Sequence, residues 1–410
     1  MKNKHDLMEY LKLKNEYEYD NENFLDFLQS INFKLDIPFI HVAGSNGKSI
    51  VSNLLNNVYY SANYKVGLFS YNQFDILKSI KINNNFINIQ EMQEIFEKYF
   101  KKFLYHNLNC YEVIFFISLV LFKQYNLDLV ILDCYMGGEF DFTNIDEIPQ
   151  LCIINNVELE HSDFLGRSKS EIAYNKGGII KKGCKVVINQ LDEECEFAIN
   201  EIVKKNKAPL YKVNEFYNYD IVDNKLVVSY YPFKPLVFNN CGLYNRYNIA
   251  TLLQSIEVLN DTFKVSEEDI QKGLNSIELH GYFEVFIIKD KTVILDNAHN
   301  ASAFETLSKS LNYYIKGKIS AIVAIDNNKN VEKMLGILQK HVNKLLLTTY
   351  DDENARDEEG FILFKDDYKF YQDYKELFNK LLEDEETNTI LICGSEVFVY
   401  QFYNYLKEIL

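Results

Sequence analysis

Lys48 and Ser49 close a glycine-rich run, Gly44-Ser45-Asn46-Gly47-Lys48-Ser49. Residues of these types at this spacing suit the holding of nucleotide phosphates. The glycines let backbone N–H groups approach phosphate oxygens, and a helix starting behind them adds partial positive charge. Lys48 would reach the outer phosphates, and the Ser49 hydroxyl would hold a magnesium ion. The usual loop of this kind has Gly or Ala five residues before the Gly-Lys pair. Val42 stands there, so this is the short variant, opened by Gly44.

Such a loop needs a strand before it and a helix behind it. Phe39 to Ala43 is an apolar run of the buried-strand type, and an apolar helical pattern begins at Ile50, continued by Leu54, Leu55 and Val58. A second chemical group falls at a similar place. Leu127 to Leu132 is β-rich and apolar and ends in Asp133, which puts a carboxylate where open α/β sheets bind ligands. Lys65 to Phe69, Cys152 to Ile154 and Lys185 to Ile188 read as further strands, and Ile80 to Ile82 alternates like an edge strand.

Helices are expected between them. Residues 1 to 37 suggest helical packing, with Asn23, Phe24, Phe27 and Leu28 at helical spacing. Ile89, Met92, Ile95, Phe96, Tyr99, Phe100 and Phe103 mark an amphipathic helix, and Tyr111 to Phe122 an apolar one. Ser168 to Lys176 carries an N-cap serine with Glu171 at the capping-box position, and Gly177-Gly178 stops it. This alternation predicts a mostly parallel sheet. From Leu210 to Phe238 the texture changes. Ile221-Val222 and Leu226 to Val228 flank a hairpin turn at Asp223-Asn224. Gly242 introduces a helix through Asn248 to Leu259, and another starts at Ser266, with Asp269 near the capping-box position.

A boundary falls around His280 to Phe283, where a fresh strand–helix alternation begins. Thr292 to Leu295, Ile319 to Ile325, Leu345 to Thr348 and Thr389 to Cys393 read as four strands, and a helix over Glu396 to Ile409 closes the chain. The predicted fold class is α/β: a P-loop-containing, mostly parallel sheet ATPase domain over residues 1–282, then a smaller Rossmann-like α/β domain over 283–410.

Composition narrows the partners. With 410 residues the chain has ample interior for two packed domains. Its formal net charge of −16 argues against general nucleic-acid or anionic-membrane binding. The charged N-terminal stretch lacks the apolar core of a signal peptide. The best apolar run, Val113 to Phe122, is about half of what spans a bilayer. Seven cysteines without a CxxC pair read as buried small apolar residues in a reducing cytoplasm.

Four later stretches add to the loop: Asp133 with Gly137-Gly138 and Asp141-Phe142-Thr143-Asn144; Glu160-His161 followed by Lys176-Gly177-Gly178-Ile179-Ile180-Lys181; Asn248 after Gly242; and Asp296-Asn297-Ala298-His299-Asn300. Together they resemble the folylpolyglutamate synthase and dihydrofolate synthase family, within the wider Mur-ligase superfamily. The family's first signature is similar to HVAGTNGKG, and this chain has HVAGSNGKS. Its second resembles LEVGLGGRLDATN, here LDCYMGGEFDFTN. GLDH and EKAGIIK correspond to ELEH and NKGGIIK, and PGRFE and LDGAHNP to HGYFE and LDNAHNA. The motifs run in order from about residue 38 to 400.

The resemblance implies roles residue by residue. Gly44, Ser45, Asn46, Gly47, Lys48 and Ser49 would cradle ATP phosphates. Asp133, in place of the family's Glu, and His161 would be magnesium ligands with Ser49. Lys176 matches the superfamily's carbamylated lysine, whose modified end acts on a second magnesium. Asn248 would touch the adenine end, and Asp296 and His299 would reach the nucleotide from the second domain. In the family's TSPHL-like loop, the magnesium-binding serine falls on Tyr71 counting from the upstream strand and on Ser70 counting back from Ile80; Ser70 is the preferred match. The chain also departs from the pattern elsewhere. Glu139 replaces the Arg of GGR, Tyr282 replaces the Arg of PGR, and Tyr244-Asn245 stand where the family has His-Gln.

The activity implied is ATP-dependent ligation of L-glutamate to folate or folyl-polyglutamate through an acyl phosphate, by a cytoplasmic monomer using ATP and Mg2+. Two alternatives remain beside it. One is a bifunctional enzyme that also makes dihydrofolate from dihydropteroate; Glu112, in a stretch similar to the family's FFE, is retained. The other is a divergent nucleotide-binding homologue with weak or no ligase activity, suggested by the lost arginines.

Overall fold

The computed structural model describes residues 6–13, 17–72, 74–214, 217–222 and 225–410. Its strands, in chain order, are β1 (Phe39–Ala43), β2 (Val66–Phe69), β3 (Ile80–Ile82), β4 (Asn85–Phe86), β5 (Leu129–Asp133), β6 (Leu151–Ile154), β7 (Lys185–Ile188) and β8 (Leu210–Lys212). Then come β9 (Asn218–Val222), β10 (Lys225–Ser229), β11 (Leu236–Phe238), β12 (Glu284–Ile288), β13 (Lys291–Asp296), β14 (Ile319–Val323), β15 (Lys344–Thr348), β16 (Lys369–Tyr371) and β17 (Thr389–Cys393). The helices are α1 (Leu7–Leu13), α2 (Glu22–Ser30), α3 (Lys48–Ser61), α4 (Ile89–Tyr105), α5 (Cys110–Gln124), α6 (Ser162–Leu165) and α7 (Lys169–Gly177). They continue with α8 (Glu193–Asn206), α9 (Asn245–Leu259), α10 (Glu267–Asn275), α11 (Ala301–Tyr314), α12 (Val331–Leu338), α13 (Tyr374–Glu383) and α14 (Glu396–Ile409).

The chain divides into two compact units. One comprises Met1–Asn218, Val228–Leu236 and Tyr247–Ile277; the other Tyr219–Val227, Val237–Arg246 and Glu278–Leu410. The first holds an eight-stranded sheet of order β4-β3-β2-β5-β1-β6-β7-β8. From β2 to β8 neighbours are parallel, while β3 and β4 are added antiparallel. Strand β1 lies between β5 and β6, with Val42 opposite Asp133 and Ala43 opposite Ile154. The chain segments that follow β1, β5 and β6 therefore leave the sheet side by side, at its C-terminal edge. Because β1 connects to β2 on one side and has β6 on the other, a crevice opens there of the kind that accepts ligands in such sheets. All five residues of β1 and of β5 are buried. Helix α5 is buried nearly all round, and Phe24 and Phe27 of α2 pack against its Phe115 and Phe116.

The second unit holds a six-stranded sheet, β12-β13-β17-β14-β15-β16, parallel except where β12 pairs antiparallel with β13. Asp296, the last residue of β13, lies opposite Cys393. A three-stranded sheet, β11-β10-β9, is formed within residues 218–238. Among the described residues no helix is long and apolar enough to cross a membrane.

Some expectations need correction. Helix α3 begins at Lys48, not Ile50, so both polar residues of the loop's end already lie in its first turn. Ile80–Ile82 is not the edge strand, because the two-residue β4 lies outside it. The second sheet has six strands, not four. Strand β12 carries the apolar run Val285 to Ile288, which the reading of the boundary at His280 to Phe283 passed over, and it alternates exposed and half-buried residues; β16 is only three residues long. The hairpin turn placed at Asp223-Asn224 lies outside the described residues.

Candidate active site

The glycine loop is fastened by the residues that follow β6. Ser45 N donates to Asn156 O, Asn46 N to Asn156 Oδ1 at 2.7 Å, and Glu158 N to Ser45 Oγ at 2.9 Å. Asn155 Nδ2 donates to Asn46 O at 2.9 Å. With its main chain held by side chains from a neighbouring strand end, the loop keeps one shape before any ligand arrives. Gly47, the N-cap residue of α3, has φ +73°, and a Cβ there would lie 2.3 Å from Asn248 Oδ1. Glycine is therefore required both by backbone conformation and by space. Lys48 and Ser49 are half-buried on the first turn of α3.

Asp133 ends β5 and is 2% exposed. Ser70 Oγ donates to its Oδ2 at 2.6 Å, while its Oδ1 is buried with no hydrogen-bond partner among the described residues. Burial pushes this carboxyl above the usual range, and the Lys48 ammonium and the Ser49 and Ser70 hydroxyls pull it back. Of the two serine alignments, the geometry brings Ser70 to Asp133. Tyr71 instead packs its ring against Tyr111 and Tyr135, at 4.7 and 4.9 Å between centroids. Tyr17 joins the same half-buried aromatic group.

Lys176, 1% exposed near the end of α7, pairs through Nζ with Glu160 Oε1 at 2.8 Å. Burial raises the Glu160 carboxyl, but the ammonium groups of Lys176 and Lys48 outweigh it and bring it down to about 2. The capping box expected from Ser168 and Glu171 is present and sets the start of α7. His161, beside Glu160, is exposed, with φ +43° at the N-terminus of α6. Glu139 is exposed as well.

The donor set supports a hard cation. An orphaned carboxylate oxygen on Asp133 sits with the Ser49 and Ser70 hydroxyls, oxygen ligands of the sort magnesium takes. Among the described residues no three His, Cys, Asp or Glu side chains gather as a metal cage. Magnesium commonly completes its shell with phosphate oxygens and water, so this set fits it.

Asn248, on α9, is 4% exposed and accepts from Asn155 Nδ2 at 3.0 Å. In the other unit, Asp296 is 3% exposed. Its Oδ1 accepts from Ala298 N, and its Oδ2 from Phe283 N and Tyr244 Oη, each at 3.0 Å. His299 Nδ1 lies 2.9 Å from Asn297 O, and Asn300 caps α11. Tyr244, a departure from the family pattern, thus grips the aspartate of another family motif. Asn155, Asn156 and the partnership of Glu160 with Lys176 were not singled out from the sequence. The rule that picked Asp133, a polar residue just at the end of a buried strand, would have flagged both asparagines.

Known proteins place this arrangement. The Mur ligase, glutamate ligase domain family matches residues 283–396. The dihydrofolate synthase/folylpolyglutamate synthase of Buchnera aphidicola subsp. Acyrthosiphon pisum is 31% identical over 314 residues, covering 74% of this chain and 72% of that protein. Among solved structures, E. coli FolC in complex with ADP superposes with a TM-score of 0.86 at 23% identity, covering 98% of this chain and 97% of that one. A bifunctional folylpolyglutamate synthase/dihydrofolate synthase with Mn, AMPPNP and L-glutamate bound gives 0.84 at 24%, covering 98% of both chains. The two structures share the fold, and the sequence relationship is close enough to settle kinship: the chain belongs to the dihydrofolate synthase/folylpolyglutamate synthase family.

Proposed function

We propose that this chain is an ATP-dependent ligase that joins L-glutamate to the γ-carboxylate of folate or folyl-polyglutamate. The observation that carries the reading is the convergence at one sheet edge of the fastened glycine loop, Lys48, and Asp133 with a free carboxylate oxygen. ATP phosphates would lie on the main chain of Gly44 to Gly47, with Lys48 and Ser49 at the outer end. The substrate carboxylate attacks the γ-phosphate and ADP leaves; the glutamate amine then attacks the acyl carbon, and phosphate leaves. Lys48 would neutralise charge growing on the phosphoryl oxygens, a term that acts strongly in a site shielded from water. Ser49, Ser70, Asp133 and His161, with Lys176 if carbamylated, would hold magnesium, which supplies further charge neutralisation on the phosphates. Asn248 would meet the adenine end. Asp296 and His299 belong to a second domain, read as 283–410 after a first of 1–282; the resemblance assigns both to nucleotide binding, His299 as the contact and Asp296 as the group that holds the turn before it. The protein acts as a monomer in the cytoplasm.

The test is incubation with tetrahydrofolate, L-glutamate and Mg-ATP. The expected product is heavier by one glutamyl unit and forms together with ADP; no mass gain and no ADP would overturn the reading. A second reading, that dihydropteroate is also ligated, is supported by relatives named for both activities. Glu112 hardly separates the two: it is buried and accepts from Asn109 N in the capping box of α5, its carboxyl raised to about 7 by burial. Dihydropteroate in place of tetrahydrofolate in the same assay decides it.

A further inference from the structure

Asn155 is the first residue after β6, 3% exposed, and every polar atom of its amide is engaged. Nδ2 donates to Asn46 O at 2.9 Å and to Asn248 Oδ1 at 3.0 Å. Oδ1 accepts from Thr251 Oγ1 at 2.9 Å and from Asn189 Nδ2 at 3.5 Å. Asn189 in turn donates to Thr251 Oγ1 and to Tyr247 O. A single side chain therefore joins the glycine loop to the first turns of α9, and the end of β7 braces the junction. Gly47 is wedged into it, since a Cβ there would come within 2.9 Å of Asn155 Nδ2 as well as meeting Asn248.

We propose that Asn155 is a positioning residue for the nucleotide: it fixes the distance between the loop that takes the phosphates and Asn248, which takes the base end. The proposal rests on the reading of Gly44 to Ser49 as the ATP loop. The chemistry demands an amide and not merely a packed side chain. Two acceptors, Asn46 O and Asn248 Oδ1, converge on one Nδ2, and two donors converge on Oδ1. A carboxylate of the same shape would turn an oxygen toward both acceptors and push the loop and α9 apart. A ligand held at both ends feels that separation, whereas one held only by its phosphates does not. Asn155 should therefore matter for nucleotides far more than for bare triphosphate.

The experiment measures binding of Mg-ADP and of inorganic tripolyphosphate to the full-length protein by calorimetry, with steady-state ATP kinetics alongside. Melting curves check folding. The variants are Asn155→Asp and Thr251→Val; the latter leaves Asn155 in place but removes a donor to its Oδ1. For Asn155→Asp the expected result is a Kd for ADP and a KM for ATP raised about tenfold or more, with kcat within about threefold and tripolyphosphate affinity within about twofold. Thr251→Val should shift the same constants in the same direction by about three- to fivefold. Unchanged ADP binding in both variants would overturn the proposal, as would equal losses for ADP and tripolyphosphate, or a loss confined to kcat. If Asn155→Asp does not fold, Thr251→Val decides alone, and wild-type ADP affinity in it overturns the proposal. If the wild-type protein itself binds no ADP, the ATP reading of the loop fails and takes the proposal with it. That result is distinct from a wild type and variants that bind ADP equally well.

Discussion

Two aspartates occupy equivalent places in the two units. Asp133 is the last residue of β5 and Asp296 the last of β13, each at the C-terminal end of a strand in a largely parallel sheet. Both are almost fully buried, and each takes a hydroxyl on Oδ2, from Ser70 and from Tyr244 respectively. They differ in what the remaining oxygen surface does. Asp133 Oδ1 has no partner among the described residues, while Asp296 accepts two main-chain N–H groups that tie down the turn 296–298 and the start of β12. The same residue at the same topological position is left available in one sheet and consumed by its own turn in the other. Position in an α/β fold therefore nominates a ligand-facing group, but the count of internal donors decides whether it can serve as one.

The widest separation between the two should appear in turnover. Lys48→Ala and Asp133→Asn are expected to lower ADP release about 10²- to 10³-fold or more. Asp133→Asn should leave the melting temperature level or raise it, because burial already disfavours that charge. Asp296→Asn should do the reverse. An amide cannot accept from Ala298 N, Phe283 N and Tyr244 Oη together, so the expected cost is about 1–3 kcal/mol of stability with turnover reduced only severalfold. If instead Asp296→Asn costs as much activity as Asp133→Asn with no loss of stability, the distinction between the two carboxylates is broken.

Lys176 lies between these cases, since its ion pair belongs to the candidate site yet is buried like a structural one. Lys176→Met leaves Glu160 charged and without its closest cation, and about 3–5 kcal/mol of stability should be lost in denaturant titrations. Adding Glu160→Gln should restore most of that stability while turnover stays low. Full recovery of both would show the pair to be scaffold only.

Much of this was legible in the sequence, and the reason lies in which residues carry a local signal. Strands β1, β7 and β17 and helix α14 fall on the expected residues because apolar runs bounded by turns are local patterns. The capping boxes at Ser168 and Ser266 are likewise local. Strands β4, β8 and β16 are two or three residues long and gain their pairing from a neighbour, so little in their own residues announces them, whereas β12 does carry an apolar run, Val285 to Ile288, that was passed over beside the boundary. The site divides the same way. Lys48 and Ser49 are marked by the glycines around them. Asn155 resembles any other asparagine in a chain rich in them, until folding brings Asn46, Asn248 and Thr251 to its amide. Tyr244 was visible only as a departure from a family pattern, and its bond to Asp296 spans 52 positions.

That bond gives the finest test of the comparison. Burial holds the Asp296 carboxyl up at about 7, and Tyr244 Oη, Ala298 N and Phe283 N donate against that rise. An unfolded aspartate titrates near 3.9, so between about pH 4 and 7 the unfolded chain has released a proton that the folded chain keeps. This group therefore makes stability fall as pH rises through that window and adds no further loss above it. Tyr244→Phe removes a donor that favours the ionised form, so the folded carboxyl moves higher and the loss continues to higher pH. The expected difference from wild type is a few tenths of a kcal/mol at pH 5, growing to about 1 kcal/mol at pH 8, measured by denaturant titration at each pH. Because Tyr244 acts within the second unit and Asp133 is untouched, other buried carboxyls cancel from the difference. A gap that stays constant with pH would mean that the tyrosine merely fills space, and that Asp296 is held by its two main-chain donors alone.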